Sequence, residues 1–151
     1  MKDPSDNIRD WLYGVLYGTV SYEGAFVSVY SFPPANQAFP YIAISEQMMS
    51  GEQGTKDAYI TEHSATIEIY AEQTGNVASY VPVNTIADSV LQIIRRRKIM
   101  TYGSGGGAVP EITGYNPIRI LVDSMVTDRF SMQNRQVIYK SINLKILLEE
   151  L

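Results

Sequence analysis

Cysteine is absent from this 151-residue sequence, and histidine and tryptophan each occur once. The missing thiols exclude disulfide frameworks, cysteine-ligated zinc, iron–sulfur clusters and thiol nucleophiles. Long hydrophobic runs are also lacking: no stretch is long enough to span a bilayer, and the N-terminus shows no basic start followed by an apolar core. The expectation is a soluble protein made in a cytoplasm. Positive charge is scarce, with 12 Lys and Arg against 16 Asp and Glu and a formal net charge of -4. That balance argues against a nucleic-acid binder working by broad phosphate neutralisation. What remains is a globular composition, 45% hydrophobic and 19% charged, of a length that suits one domain over residues 1–151.

The strongest pattern lies between Phe39 and Glu72. Ile42 and Ile44 alternate with Ala43 and Ser45, and Ile67, Ile69 and Ala71 alternate with Thr66, Glu68, Tyr70 and Glu72, the period-two signature of half-buried strands. Between the two runs lies a polar, glycine-containing stretch, residues 48–62. It predicts a hairpin with an oversized loop, an arm on a small domain. Compact domains seldom keep long loops without a use for them, so the arm points to an assembling subunit rather than a pocket enzyme.

The flanking sequence predicts an α+β fold with a mainly antiparallel sheet, an N-terminal helix and one long helix packed on it. Asp3 or Ser5 can cap the first helix with Pro4 near its start, and Ile8, Trp11, Leu12, Val15 and Leu16 share one face ahead of Gly18. Trp11 reads as the anchor of that helix on the core. Residues 19–32 are rich in β-branched and aromatic side chains, are broken at Glu23-Gly24, and read as one strand or a short hairpin before a proline-rich turn. From Val81 or Pro82 to Lys98, the residues Val83, Ile86, Ala87, Val90, Ile93 and Ile94 form the buried stripe of the major helix. A glycine-rich loop spans residues 101–117. Two last strands follow, with Ile118, Ile120 and Val122 alternating in the first and Ile138, Ile142, Leu144, Ile146 and Leu148 in the second. A polar turn over residues 127–134 separates them. The opposite face of the last strand, Val137, Tyr139, Ser141, Asn143 and Lys145, suits solvent or a neighbouring subunit.

The chemical inventory is thin. His63 has Glu62 and Asp57 near it in sequence but no second histidine for a metal site. Glu68 and Glu72 share a strand face and can meet Glu46 across the hairpin, though a solvated or interface face is the ordinary meaning of such a pattern. The glycines of residues 103–107 lack the Lys and Ser/Thr that a phosphate-cradling loop needs. Arg95, Arg96, Arg97 and Lys98 form a basic run where the long helix ends. Consecutive positions spread around a helix axis, and cations there stabilise the C-terminal dipole, the simpler reading beside a contact with phosphate. No catalytic residue, metal site or cofactor is implied.

Tyrosine is abundant instead, 11 against 4 Phe and one Trp. Its ring is apolar and its hydroxyl tolerates water, which suits a surface buried only after assembly. Tyr41, Tyr59, Tyr70, Tyr102 and Tyr139 are the interface candidates; the plainer alternative is that they cover the sheet.

The order of these elements resembles the tail-completion or tail terminator proteins of long-tailed bacteriophages. The resemblance covers most of the chain. It is carried chiefly by Phe39-Pro40-Tyr41 leading into a strand, by the strand TIEIYAEQTG, and by the helix ADSVLQIIRRRKI that follows closely; the glycine-rich loop departs from the commoner pattern. It implies a virion structural protein of the tail or neck, assembled in the host cytoplasm, with no enzymatic activity, cofactor or membrane. The expected partners are further copies of itself in a ring, hexameric by preference, the tail tube protein, and a head–tail connector or neck protein. DNA would pass through the lumen without sequence-specific binding, helped by acids such as Glu52, Asp57 and Glu62. One alternative is a head-completion or portal-adapter ring, in which Arg95, Arg96, Arg97 and Lys98 touch DNA or the connector. The other is a small α+β ligand-binding domain.

Overall fold

The structure, a computed structural model, describes residues 2–55, 57–73, 79–94, 112–132 and 134–151. Helix α1 spans Ser5–Leu16, followed by the short strands β1 (Ser21–Tyr22), β2 (Ala25–Phe26) and β3 (Ser28–Tyr30). Two long strands, β4 (Tyr41–Thr55) and β5 (Ala58–Glu72), precede helix α2 (Val81–Ile94), and β6 (Tyr115–Met132) and β7 (Arg135–Glu150) close the chain. The main sheet runs β3-β4-β5-β7-β6, with the four long strands antiparallel and β3 parallel to β4. The expected α+β architecture is therefore present.

Both helices form as their apolar spacing requires. Ile8, Trp11, Leu12 and Leu16 recur on one face of α1 and are buried, as are Val83, Ile86, Ala87, Val90 and Ile94 on α2. The cap position is Pro4, with no side-chain cap bond, rather than Asp3 or Ser5. The Asp3 carboxylate accepts hydrogen bonds from the Ser5 backbone N–H (3.0 Å), a donor that the first helical turn cannot satisfy internally, and from the Ser5 hydroxyl (2.6 Å). Those bonds, the hydroxyl's first, hold its pKa below the ordinary carboxylate value. At the other end Gly18, with φ of 70°, turns the chain away. The interruption at Glu23-Gly24 is a two-residue hairpin turn with φ of 51° and 81°, the positive pair that matches strand twist.

The helices pack on one face of the sheet, over Ile42, Ile44, Ile67, Ile69, Ile138, Ile142, Leu144, Ile146 and Leu148. Full burial of each such side chain contributes about 1.5–3 kcal/mol, which makes this layer the main source of cohesion. A side-chain bridge fixes α1 on the sheet: Gln47 Nε2 donates to the Ser5 carbonyl at 2.8 Å, while Arg9 donates to Gln47 Oε1 at 3.0 and 3.2 Å.

Several sequence expectations change. Residues 48–62 are not a loop: β4 continues to Thr55 and β5 starts at Ala58, leaving only positions 56 and 57 between them. This segment pairs with β7 as far as Ile60 opposite Glu149, so it belongs to the sheet and is no free arm. Its glycines masked the pattern, and a register shift between Met49 and Gly51 shows why: a bulge breaks alternation while letting the ladder continue. Residues 127–134 likewise hold strand up to Met132, with Asn134 at φ 61° in the turn. Val137 is fully buried rather than offered to solvent. Ile118 sits at a register shift between Pro117 and Arg119 and is exposed, out of step with Ile120. Tyr115, Asn116 and Pro117 belong to β6, and Ile112 bridges to Tyr115. Residues 95–111, which include the end of the expected long helix and most of the glycine-rich loop, lie outside the described residues.

Candidate assembly surface

The face of the sheet opposite the helices carries no packed element among the described residues. Registers place its side chains in rows. Tyr41 stands opposite Tyr70, and Tyr70 opposite Tyr139. The rings stack across the strands, with centroids 5.0 Å apart for Tyr41 and Tyr70 and 6.0 Å for Tyr70 and Tyr139. Phe39 and Tyr30 extend the row beyond Tyr41 at 5.4 and 6.2 Å. Phe130 closes the other end, 5.8 Å from Tyr139 and 6.4 Å from Tyr70. Six aromatic rings thus cross five strands, Phe39 standing just before the second.

Three of the five expected interface tyrosines, Tyr41, Tyr70 and Tyr139, therefore meet in one row. Tyr59 does not join them; it sits exposed near the β4–β5 turn. Tyr102 and the basic run Arg95, Arg96, Arg97 and Lys98 lie outside the described residues. Sequence reading missed Tyr30, Phe39 and Phe130. Phe130 fell in an expected turn, and Tyr30 joins only because β3 pairs in parallel with β4, a long-range event with no local signal.

Below the aromatic row the face turns polar. Glu68 accepts from the Tyr70 hydroxyl and, at 2.9 Å, from the Ser45 hydroxyl. Burial first, and then the Glu68 carboxylate, push the Tyr70 phenol well above the ordinary tyrosine value; Tyr41 is raised by the same two causes. Neither phenol ionises near neutrality. Thr66 donates to Asn143 Oδ1 at 2.6 Å, and Asn143 Nδ2 donates to Ser124 at 2.8 Å. Farther along, Glu62 lies 3.8 Å from both Arg119 and Lys145, and Lys145 is 3.8 Å from Asp123. These ion pairs are half-exposed and worth little individually. Glu62 is consequently paired with two cations.

Glu68 is occupied by two hydroxyl donors, and Glu72 pairs with Arg135 at 3.7 Å. His63 is buried on the helix side with Nε2 2.7 Å from the Thr61 hydroxyl, away from the open face. Among the described residues no group of three or more His, Cys, Asp or Glu could hold a metal ion, and no helix is long and apolar enough to cross a membrane. What the face offers is an apolar, hydroxyl-edged row above a polar ladder of paired side chains.

No protein-family model matches the chain, and no curated protein matches its sequence. Among solved structures, the fold is similar to that of a chain in a structure described as the virion of a native gene transfer agent particle. The TM-score is 0.56 at 13% identity, over 97% of this chain and 91% of that one. At that identity the likeness is one of fold.

Proposed function

We propose that the chain is a non-enzymatic structural subunit of a phage-like virion, a single-domain tail terminator. It forms a ring, hexameric by preference, that caps the tail tube and meets the head-side connector. The observation that carries this reading is the sheet face left uncovered by the described residues, with its row Tyr41, Tyr70 and Tyr139. A half-buried aromatic row without a covering layer is costly for an isolated domain and useful for one that buries it against another component. The near end-to-end fold likeness to a chain of a gene transfer agent virion supports placement in such a particle. The basic run Arg95, Arg96, Arg97 and Lys98 then serves the connector or the passing DNA, and no cofactor or membrane takes part.

The test is the mass of the purified protein by light scattering across a concentration series, with negative-stain imaging of any large species. A discrete closed oligomer with six-fold views is the expected result. A ring of about twelve subunits moves the assignment to a head-side adapter. A strict monomer that a specific small molecule stabilises against heat replaces it with a ligand-binding domain.

A further inference from the structure

The two edges of the main sheet are unlike each other, and each has a stretch without an outer partner among the described residues. β3 covers only Tyr41, Ile42 and Ala43 of β4, so the rest of that strand has no outer partner among the described residues. Over residues 124–132, β6 likewise has none among the described residues. Within β6 the register shifts end between Val122 and Ser124; beyond them residues 124–132 form a regular strand without Lys, Pro or bulge. Residues 123–131 are all exposed, including Met125, Val126 and Phe130. Met125 stands opposite the fully buried Ile142, so it lies on the helix side but outside the helices' cover. A regular edge exposed on both faces is the arrangement natural sheets avoid unless a strand is to be added.

Resting on the ring reading above, we propose that this edge pairs with the free edge of β4 in a second copy, with Arg129 set opposite Glu52. Three features select this occupant. The four long strands alternate in direction and are even in number, so repeating the sheet around an axis lays β6 antiparallel to the next β4. The contact is head-to-tail and closes as a ring, whereas β6 pairing with itself leaves every β4 edge open. Charge is complementary: Arg129 opposes buried Ile138 and Glu52 opposes buried Thr61, so both lie on the helix side, and both are exposed without an ion-pair partner among the described residues. The register that joins them also matches the faces elsewhere, setting Thr127 against Gly54 and Phe130 against Gly51. Gly51 has open space where a Cβ would stand, room for an aromatic ring over bare backbone. The free stretches lie toward opposite ends of the sheet, so each copy is displaced along the strand relative to the next.

The test is charge reversal, read by light scattering on the full chain. Arg129→Glu and Glu52→Arg should each raise the concentration for ring assembly about tenfold, and the double variant should restore it. Because the chain has no cysteine, Thr127→Cys with Gly54→Cys in one chain should oxidise to a covalent ladder ending at the ring size. Wild-type rings unaffected by either reversal, and not cross-linked, overturn the edge contact while leaving the ring standing. Dimers from Thr127→Cys alone would show β6 meeting β6 and overturn it too. A wild-type chain that stays monomeric at every concentration sinks ring and edge contact together.

Discussion

Tyr41 and Tyr70 face each other on adjacent strands with ring centroids 5.0 Å apart and planes inclined by 23°. Such a pair contributes about 0.5–1.5 kcal/mol beyond area burial. Tyr70→Ala should therefore lower monomer stability by a modest amount, about 1–2 kcal/mol, measured by urea unfolding. Its effect on assembly should be larger, because the row breaks at its centre between Tyr41 and Tyr139. If the variant assembles as the wild type does at equal monomer stability, the open face is not buried in the particle. Tyr59→Ala, at an exposed site outside the row, should leave both readouts near wild type.

The core makes a sharper contrast. Ile142 is fully buried, while Met125 opposite it on β6 lies beyond the helices. Ile142→Ala should cost about 2–5 kcal/mol, and Met125→Ala should stay within about 0.5 kcal/mol. Equal losses would mean that the helices, or another element, cover β6 as well.

These contrasts show what local sequence does and does not encode. Alternation in residues 64–72 and 142–148 and the helical stripes were legible, because one buried face imposes its period on every strand and helix that borders it. The extent of β4, β5 and β6 was not. At Gly51 and Asp128 the residue types favour turns or solvent, Phe130 sits within a polar stretch, and strand is imposed by the ladder of the neighbouring chain segment. The interface candidates followed the same division. Tyr41, Tyr70 and Tyr139 could be nominated from composition, but their union in a row depends on registers between segments up to about a hundred residues apart.

His63 gives a pH dependence of definite sign. It is buried beside Thr61, Ile146 of β7 and Met49 of β4 stand opposite it, and the Asp3 carboxylate before α1 acts on it electrostatically. Burial holds its pKa below the ordinary 6.5, and the Asp3 charge opposes that shift only partly. The unfolded chain then binds a proton at a higher pH than the native one. Stability contributed by the neutral ring is complete above about pH 6.5 and falls as pH drops toward the native value, by at most about 1.4 kcal/mol per pH unit. Urea unfolding between pH 8 and 5 should show this slope, and His63→Gln should flatten it. A steeper slope in Asp3→Asn would confirm that the carboxylate is the opposing charge.

The β4–β5 segment supplies a kinetic test of the change from arm to sheet. A polar loop over residues 48–62 would exchange its amide hydrogens within the dead time of the measurement, whereas strand amides paired inside a sheet open only with larger unfolding. β5 lies between β4 and β7 along this stretch, with Thr61 opposite Leu148 and His63 opposite Ile146. Amides of residues 61–67 should therefore be protected to nearly the global stability. On β4, whose outer side has no partner beyond Ala43 among the described residues, protection should alternate, being high for groups that bond to β5 and low for those pointing outward. Assembly should protect the outward set as well if that edge receives β6 of another copy. Uniformly fast exchange over residues 48–62 in the monomer would restore the loop.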